Sequence, residues 1–143
     1  MLSLYRLEVN VNKLLGILVC GVLLLGVAVA QVKSANPADQ NLKVEKIVAA
    51  TSVDNREPLG ENTEFAASAG TLYCWTKVTA KTVPATIKHV WYFGDQKVFE
   101  QSLDLKFAST RTWSSKAVKA GNWKVDVTDD AGTVLGSVSF TVK

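Results

Sequence analysis

The sequence has 143 residues, of which 48% are hydrophobic and 20% are charged. This length suffices for one domain with a buried core, and the hydrophobic share is too high for a disordered chain. The net charge of +3 is far below the charge density of a dedicated nucleic-acid-binding protein. One histidine and two cysteines cannot supply the ligands of a common structural zinc site. We therefore expect no metal, no cofactor and no nucleic-acid partner.

The N-terminal segment has the features of an export signal. Arg6 and Lys13 precede an uncharged apolar run, residues 14–30, which ends in the small-x-small sequence Ala-Val-Ala. This pattern predicts an apolar signal helix, residues 1–30, that is cleaved after Ala30; the alternative is an uncleaved membrane anchor. Either one predicts an exported domain, periplasmic or otherwise extracytoplasmic, whose membrane contact is limited to residues 14–30 of an uncleaved chain.

A short polar segment separates this signal from the predicted domain. Residues 31–41 contain Asn, Gln, Ala and Pro without periodicity, which predicts a flexible tether. The domain itself is predicted over residues 42–143. After signal cleavage Cys74 would be its only cysteine, so no internal disulfide could form and packing alone would hold the fold. We expect the Cys74 thiol to be buried and unreactive.

Alternating apolar and polar residues predict strands along most of this domain. The first strand lies near residues 44–50, and residues 51–70 form a connection with room for one short strand. Further strands are predicted at residues 72–78, 87–93, 98–105, 110–118, 123–127 and 134–142. The last of them is expected to point four side chains inward, those of Val134, Val138, Phe140 and Val142. Seven or eight strands without crossover helices predict an all-β, immunoglobulin-like antiparallel β-sandwich.

Several short segments resemble a known family when they are taken together. They are Asn-Arg-Glu-Pro at 55–58, Tyr-Cys-Trp at 73–75, His-x-Trp-Tyr at 89–92, Arg-x-Trp-Ser-Ser-Lys at 111–116 and Gly-x-Trp-x-Val at 121–125. In this order and spacing they are similar to an uncharacterised bacterial family, domain of unknown function 2914, over residues 44–142. The resemblance implies an exported or membrane-tethered domain of envelope proteins, and it implies no activity.

His89 is the only imidazole available as a general base. It shares a predicted strand face with Trp91 and Phe93, which favours a core histidine whose ring nitrogen bonds a backbone or hydroxyl group. A hydrolase would need Ser114 or Ser115 within hydrogen-bond reach and a carboxylate behind the ring. The sequence has neither a Gly-x-Ser-x-Gly nor a Ser-x-x-Lys motif. We therefore expect no enzymatic activity.

The four tryptophans exceed what the core of a small sandwich needs. Trp91 and Trp123 are in phase with core residues, and we expect both to be buried. Trp75 and Tyr73 lie opposite the inward set of their strand, and Trp113 is flanked by basic and hydroxyl residues. Exposed rings beside basic groups can stack on sugars or peptides while Arg binds carboxylates, although the same residues could simply cap a sheet edge. The predicted binding residues are Tyr73, Trp75, Arg111, Trp113, Ser115 and Lys116.

The sequence thus predicts a non-enzymatic binding module of the bacterial cell envelope that uses an exposed aromatic and basic patch. Its partner would be an envelope protein, a peptide or a glycan. The alternative is a structural accessory domain of an envelope complex, with all of its aromatic residues in the core and no small-ligand site. A hydrolase centred on His89 is the least favoured function.

Overall fold

The computed structural model describes residues 40–143, and this part of the chain is all-β, as predicted. The predicted signal or anchor helix, and all but the last two residues of the predicted tether, lie outside the described residues. A search of residues 40–143 for a membrane-spanning helix finds no candidate. The strands are β1 (Leu42–Ala50), β2 (Ser52–Asp54), β3 (Glu57–Leu59), β4 (Glu64–Phe65), β5 (Thr71–Ala80), β6 (Ala85–Phe93), β7 (Gln96–Leu105), β8 (Ser109–Ala117), β9 (Gly121–Thr128) and β10 (Val134–Val142).

The strands form two main sheets and one small hairpin. The three-stranded sheet has the order β1-β5-β8, the five-stranded sheet has the order β4-β10-β9-β6-β7, and β2 pairs with β3. Every pair is antiparallel except β4 with β10, which is parallel. The expectation of purely antiparallel sheets is wrong at this pair, because the connection after β3 returns along the outer edge of β10 and pairs there in the same direction. Covering that edge also protects it from pairing with another chain.

The core lies between the two main sheets. Leu72 and Cys74 of the three-stranded sheet pack against Trp91 and Trp123 of the five-stranded sheet, and a second apolar cluster continues toward the other end of the strands. Trp91 and Trp123 are buried, as predicted. Cys74 is buried as well, and desolvation raises the pKa of its thiol far above the usual value, so the thiolate that reacts is strongly disfavoured.

Register shifts in the β1–β5, β6–β7 and β9–β10 pairs interrupt the alternation of side chains between the two faces. A register shift between Val134 and Gly136 leaves Val134 54% exposed, and Leu135 packs against the core instead. The prediction that Val134 points inward is therefore wrong, because strict alternation fails where an extra residue enters the strand. A second register shift, between Val44 and Lys46, interrupts the alternation of side chains along β1 in the same way.

The connection over residues 51–70 contains more structure than predicted, namely the short strands β2, β3 and β4. Asn55 and Arg56 join β2 to β3, and both have positive φ values, 48° and 65°. Two positive φ values at the centre of a two-residue hairpin characterise a type I′ turn, which matches the twist of the paired strands. The hairpin contacts β5 and β1, so it lies against the three-stranded sheet.

Candidate functional site

The outer face of the three-stranded sheet carries five of the six predicted binding residues. Side chains alternate between faces along a strand, and the inward set of β5 includes Leu72 and Cys74. The β5 residues that alternate with this inward set therefore point outward, and the β5–β8 register places each of them opposite an outward residue of β8. The cross-strand pairs on this face are Tyr73 with Ser115, Trp75 with Trp113, and Lys77 with Arg111.

Lys116 does not belong to this face. It follows Ser115 in β8, so its side chain points to the opposite side of the sheet. There its Nζ lies 5.7 Å from the centroid of the Phe99 ring, a residue of β7 in the other sheet. The prediction that Lys116 shares a surface with Arg111 and Trp113 is therefore wrong.

Trp75 points outward from its strand but is not exposed. Its residue exposure is only 2%, and its indole Nε1 donates a hydrogen bond of 2.9 Å to the carbonyl oxygen of Arg56. The Nζ of Lys46 lies 5.9 Å from the Trp75 ring centroid. The prediction that Trp75 is an exposed binding residue is wrong, because the turn of the β2–β3 hairpin covers the ring.

The same hairpin holds Arg111 in place. The Nη1 of Arg111 lies 2.7 Å from Oε1 of Glu57, and both side chains are about half exposed. Arg56 reaches the same strand, since its Nη2 donates a hydrogen bond of 3.4 Å to the carbonyl oxygen of Arg111. The segments 55–58 and 111–116, which are far apart in the sequence, therefore meet at this point.

A cleft of about 470 Å³ opens beside this contact, and we call it the aromatic–basic cleft. Its walls come from the β2–β3 turn, from β8 and from the connection between β7 and β8. The most exposed large ring in it is Phe107, at 69%. The lining residues are Arg56, Asp104, Lys106, Phe107, Thr110, Arg111, Thr112 and Trp113.

Only two of the predicted binding residues, Arg111 and Trp113, line this cleft. Tyr73, Trp75, Ser115 and Lys116 do not. Sequence reasoning missed Phe107, Arg56 and Lys106. An aromatic residue in a short polar connection was a usable signal for Phe107, whereas nothing local indicated that Arg56 would reach β8.

The cleft combines the groups that bind a flat ligand bearing negative charge. Phe107 and Trp113 offer ring surface, while the guanidinium groups of Arg56 and Arg111 can donate paired hydrogen bonds to a carboxylate. Glu57 already neutralises part of the Arg111 charge, and the lining also contains the carboxylate of Asp104. The cleft is therefore only moderately basic, which favours a ligand with one or two negative charges.

His89 lies in a separate, buried polar cluster between the two sheets, which we call the His89 cluster. Its Nδ1 is 2.7 Å from Ser114 Oγ, and its Nε2 is 3.2 Å from Thr76 Oγ1. The Nε1 of Trp91 donates a hydrogen bond of 3.0 Å to Ser114 Oγ, and Thr76 Oγ1 donates one of 3.3 Å to the carbonyl oxygen of Thr112. The cluster thus ties β5 and β8 of the three-stranded sheet to β6 of the five-stranded sheet.

A neutral imidazole satisfies all of these contacts. In that assignment Ser114 Oγ accepts the indole N–H and donates its own hydrogen to the unprotonated Nδ1 of His89. The Nε2–H in turn donates to Thr76, whose hydroxyl donates to a carbonyl. In this assignment every donor hydrogen in the His89 cluster has an acceptor. Burial also favours the neutral imidazole, since it lowers the His89 pKa from 6.5 to about 4.

The expectation of a core histidine bonded to hydroxyl groups is confirmed by this geometry. Ser114 is within hydrogen-bond reach of His89, as a catalytic pair would be, but both side chains are buried in the interior. The two ring nitrogens both face hydroxyl groups rather than a carboxylate. The His89 cluster therefore has the arrangement of a structural link between sheets.

Comparison with known proteins adds one match. Residues 84–142 match the model of the family DUF2914, described as a protein of unknown function. This confirms the resemblance to DUF2914 drawn from the sequence. The matched residues begin just before β6 and end with β10, so the DUF2914 match includes His89, Arg111 and Trp113, whereas the segments at 55–58 and 73–75 precede it. No curated protein matches the chain.

Proposed function

We propose that the chain is an exported, non-enzymatic binding module of the bacterial cell envelope, and that the aromatic–basic cleft contacts its partner. The observation that carries this proposal is the exposed ring of Phe107, which lies in one cleft with Trp113 and two guanidinium groups. An exposed aromatic residue beside fixed basic groups is a common composition for recognition surfaces.

We also propose that the fold is immunoglobulin-like. The order β1-β5-β8 opposite β10-β9-β6-β7 supports this assignment, because it is the arrangement of strands A, B and E opposite strands G, F, C and C′. From β5 onward the chain crosses between the sheets after β5, β7 and β8, while β6–β7 and β9–β10 are hairpins within one sheet. Domains of this architecture commonly serve as extracellular interaction modules, a likeness of fold that supports the proposal by analogy alone.

A carboxylate-bearing peptide or glycan suits the aromatic–basic cleft best. A ring or sugar face would stack on Phe107, and the carboxylate would accept hydrogen bonds from Arg56 and from the half-exposed Arg111. The volume of about 470 Å³ accommodates a short ligand segment rather than a large rigid body.

The test is a titration of isotope-labelled protein, followed by amide NMR, with two probes: a short acidic peptide containing Phe and a uronic-acid oligosaccharide. We expect one of them to shift the amides of residues 106–113, with binding reduced about tenfold in Arg56→Gln and in Phe107→Ser. Lys43→Gln is the matched control, because Lys43 is a largely exposed lysine that does not line the cleft. If neither probe moves these amides, the cleft is not the binding surface.

Export can be tested separately. The motif at residues 1–30 supports a mature chain that begins at Gln31 and is recovered from outside the cytoplasm. Mass spectrometry of the mature N-terminus, with fractionation of cells that express the full chain, distinguishes cleavage after Ala30 from retention of an anchor. Recovery of the uncleaved chain in the cytoplasm would overturn this part of the proposal.

A structural accessory role is the second candidate, and a specific observation favours it. Trp75, Trp91 and Trp123 are all buried, and Arg111 already has Glu57 as an ion-pair partner. Acrylamide should therefore quench one indole, that of Trp113, rather than the two expected from the sequence. The NMR titration separates the two functions, since an accessory domain would bind neither probe.

A further inference from the structure

A second cleft lies at the opposite end of β8, and we call it the lysine cleft. It has a volume of about 410 Å³, and it shares no lining residue with the aromatic–basic cleft. The start of β7 forms one wall, and the end of β8 with the following connection forms the other. The residues that matter for its chemistry are Phe93, Val98, Lys116, Val118, Lys119 and Trp123.

The floor of this cleft is aromatic. The rings of Phe93 and Trp123 are tilted against each other with centroids 5.0 Å apart. The Nε1 of Trp123 donates a hydrogen bond of 2.9 Å to the carbonyl oxygen of Lys119, so the indole has no free donor to offer a ligand. Val118 and the 38% exposed Val98 add apolar walls. The interior of the cleft therefore suits an apolar group.

Gly121 allows this floor to form. Its φ is +142°, and a Cβ atom at this position would lie 2.4 Å from Cε2 of Phe93. Since real Cβ atoms essentially never approach a carbon so closely, any other residue would displace the Phe93 ring. The Gly-x-Trp segment at 121–123 thus has a packing role at the cleft.

The rim of the cleft is cationic. The Nζ of Lys119 lies 4.5 Å from the Phe93 ring centroid, and the Nζ of Lys116 lies 5.7 Å from that of Phe99. Among residues 40–143, no carboxylate lies within ion-pair distance of either ammonium group. By contrast Lys88 and Lys97 both pair with Glu100, and Lys124 pairs with Asp126. In the lysine cleft two cations therefore flank an apolar surface, and none of the carboxylates in residues 40–143 neutralises them.

From these observations we propose that the lysine cleft binds a small organic acid with an aromatic or branched apolar body. The body lies on the partly buried Phe93 ring between the two valines, with the buried Trp123 ring beneath it, and the carboxylate lies between the ammonium groups of Lys116 and Lys119. Charge complementarity selects an anion, and the apolar floor selects against small, fully hydrated anions. This site is independent of the proposed partner surface at the aromatic–basic cleft.

The experiment is an amide NMR and Trp-fluorescence titration of the same protein with three probes. They are 1-naphthoate, its uncharged counterpart 1-naphthamide, and acetate, which has the charge without the body. We expect naphthoate to shift the amides of Phe93, Val98 and Val118 and to alter Trp123 emission. Naphthamide should bind about tenfold more weakly, and acetate should give no saturable shift.

Variants test whether the two lysines bind the carboxylate and whether the apolar wall contacts the body of the ligand. Lys116→Gln with Lys119→Gln should weaken naphthoate about tenfold and leave naphthamide unchanged, and Val98→Ser should weaken both probes. Lys43→Gln with Lys81→Gln removes the same net charge at the end of β5 opposite to the cleft, beside the start of β1, and should leave both affinities unchanged.

Three results would overturn the assignment. They are equal affinity for naphthoate and naphthamide, naphthoate-induced shifts that are scattered over the surface rather than confined to the cleft, and equal weakening in the two lysine pairs. The last of these would show that net charge alone attracts the probe. Any of these results would leave the proposal for the aromatic–basic cleft unaffected, because that proposal is tested with other probes and at the amides of residues 106–113.

Discussion

The His89 cluster and the contact between the β2–β3 hairpin and Arg111 are two polar clusters on opposite faces of the same two strands. Thr76 and Ser114 point inward from β5 and β8, while Trp75 and Arg111 point outward from the same strands. Both clusters join sequence-distant residues through hydrogen bonds. They differ in solvent access, because the inner cluster lies between two sheets and the outer one lies under a hairpin beside a cleft that is open to solvent.

This difference in solvent access predicts how much each hydrogen bond contributes to the stability of the fold. In the core, a group that loses its partner cannot turn to water, so it bears the full cost of desolvation. At the surface, water replaces the lost partner, and an exposed ion pair contributes little. Residues one position apart in the chain should therefore differ several-fold in their effect on stability.

The largest expected effect is that of pH on the His89 cluster. Burial lowers the His89 pKa from 6.5 to about 4, so the unfolded chain binds the proton more readily than the folded protein. The free energy of unfolding should therefore fall as the pH drops from about 6.5 to about 4, by about 3 kcal/mol at most, and this contribution should be constant outside that window. Urea unfolding at several pH values measures it.

His89→Leu is the comparison variant for the pH experiment. Other groups titrate near pH 4 as well, so the relevant quantity is the difference between the two profiles. The variant should lose stability at pH 7 but show a flatter dependence between pH 4 and 6.5. Parallel profiles would contradict the assignment of this window to His89.

Next in size is the loss of the Ser114 hydroxyl. Ser114→Ala leaves both Trp91 Nε1–H and His89 Nδ1 without a partner in the core, and we expect a loss of about 2 kcal/mol in unfolding free energy. Ser115→Ala is a matched control, since it removes the same group from the exposed face of the same strand and should cost under about 0.5 kcal/mol. Equal losses of unfolding free energy in the two variants would contradict the expected difference between the buried and the exposed face of β8.

Trp75→Phe should have a smaller effect. It removes the hydrogen bond from Nε1 to the Arg56 carbonyl but keeps an aromatic ring under the hairpin. We expect a loss of about 1 kcal/mol, together with faster amide hydrogen exchange in β2 and β3. Unchanged exchange in the hairpin would show that this bond does not hold the turn against the sheet.

Glu57→Gln should have the smallest effect on stability. The Arg111–Glu57 pair is about half exposed on both sides, so we expect a change of less than about 0.5 kcal/mol that disappears at high salt. The same substitution frees the Arg111 guanidinium, so it should strengthen binding of an acidic probe in the aromatic–basic cleft. Weaker binding in this variant would show that Glu57 orients Arg111 for the ligand.

The strand pattern and the core were largely predictable from the sequence. Alternation identified the seven long strands and the burial of Trp91, Trp123 and His89, because burying one face of a strand imposes a period of two. The errors occur where that period is interrupted, as at the bulge that turns Val134 outward.

The candidate site was predicted less well, for a related reason. The sequence placed Trp75, Arg111 and Trp113 on the outward faces of their strands, and the structure agrees with those directions. It gave no sign that a hairpin would bury Trp75, or that Phe107 and Arg56 would complete a cleft. Alternation specifies the face to which a side chain points and carries no information about what lies above that face.

By itself, then, the sequence determined the all-β class, the inward and outward sets of most strands, the resemblance to DUF2914 and the expectation of export. The class, the two sets and the expectation of export depend on local periodicity and composition, whereas the resemblance depends on short motifs in a fixed order; all of these can be read without knowing which residues meet in space. Tertiary structure alone decided which cations are neutralised, Arg111 by Glu57 and neither Lys116 nor Lys119 by any described carboxylate. Electrostatic pairing depends on distances between residues that are remote in the chain, and only folding sets those distances.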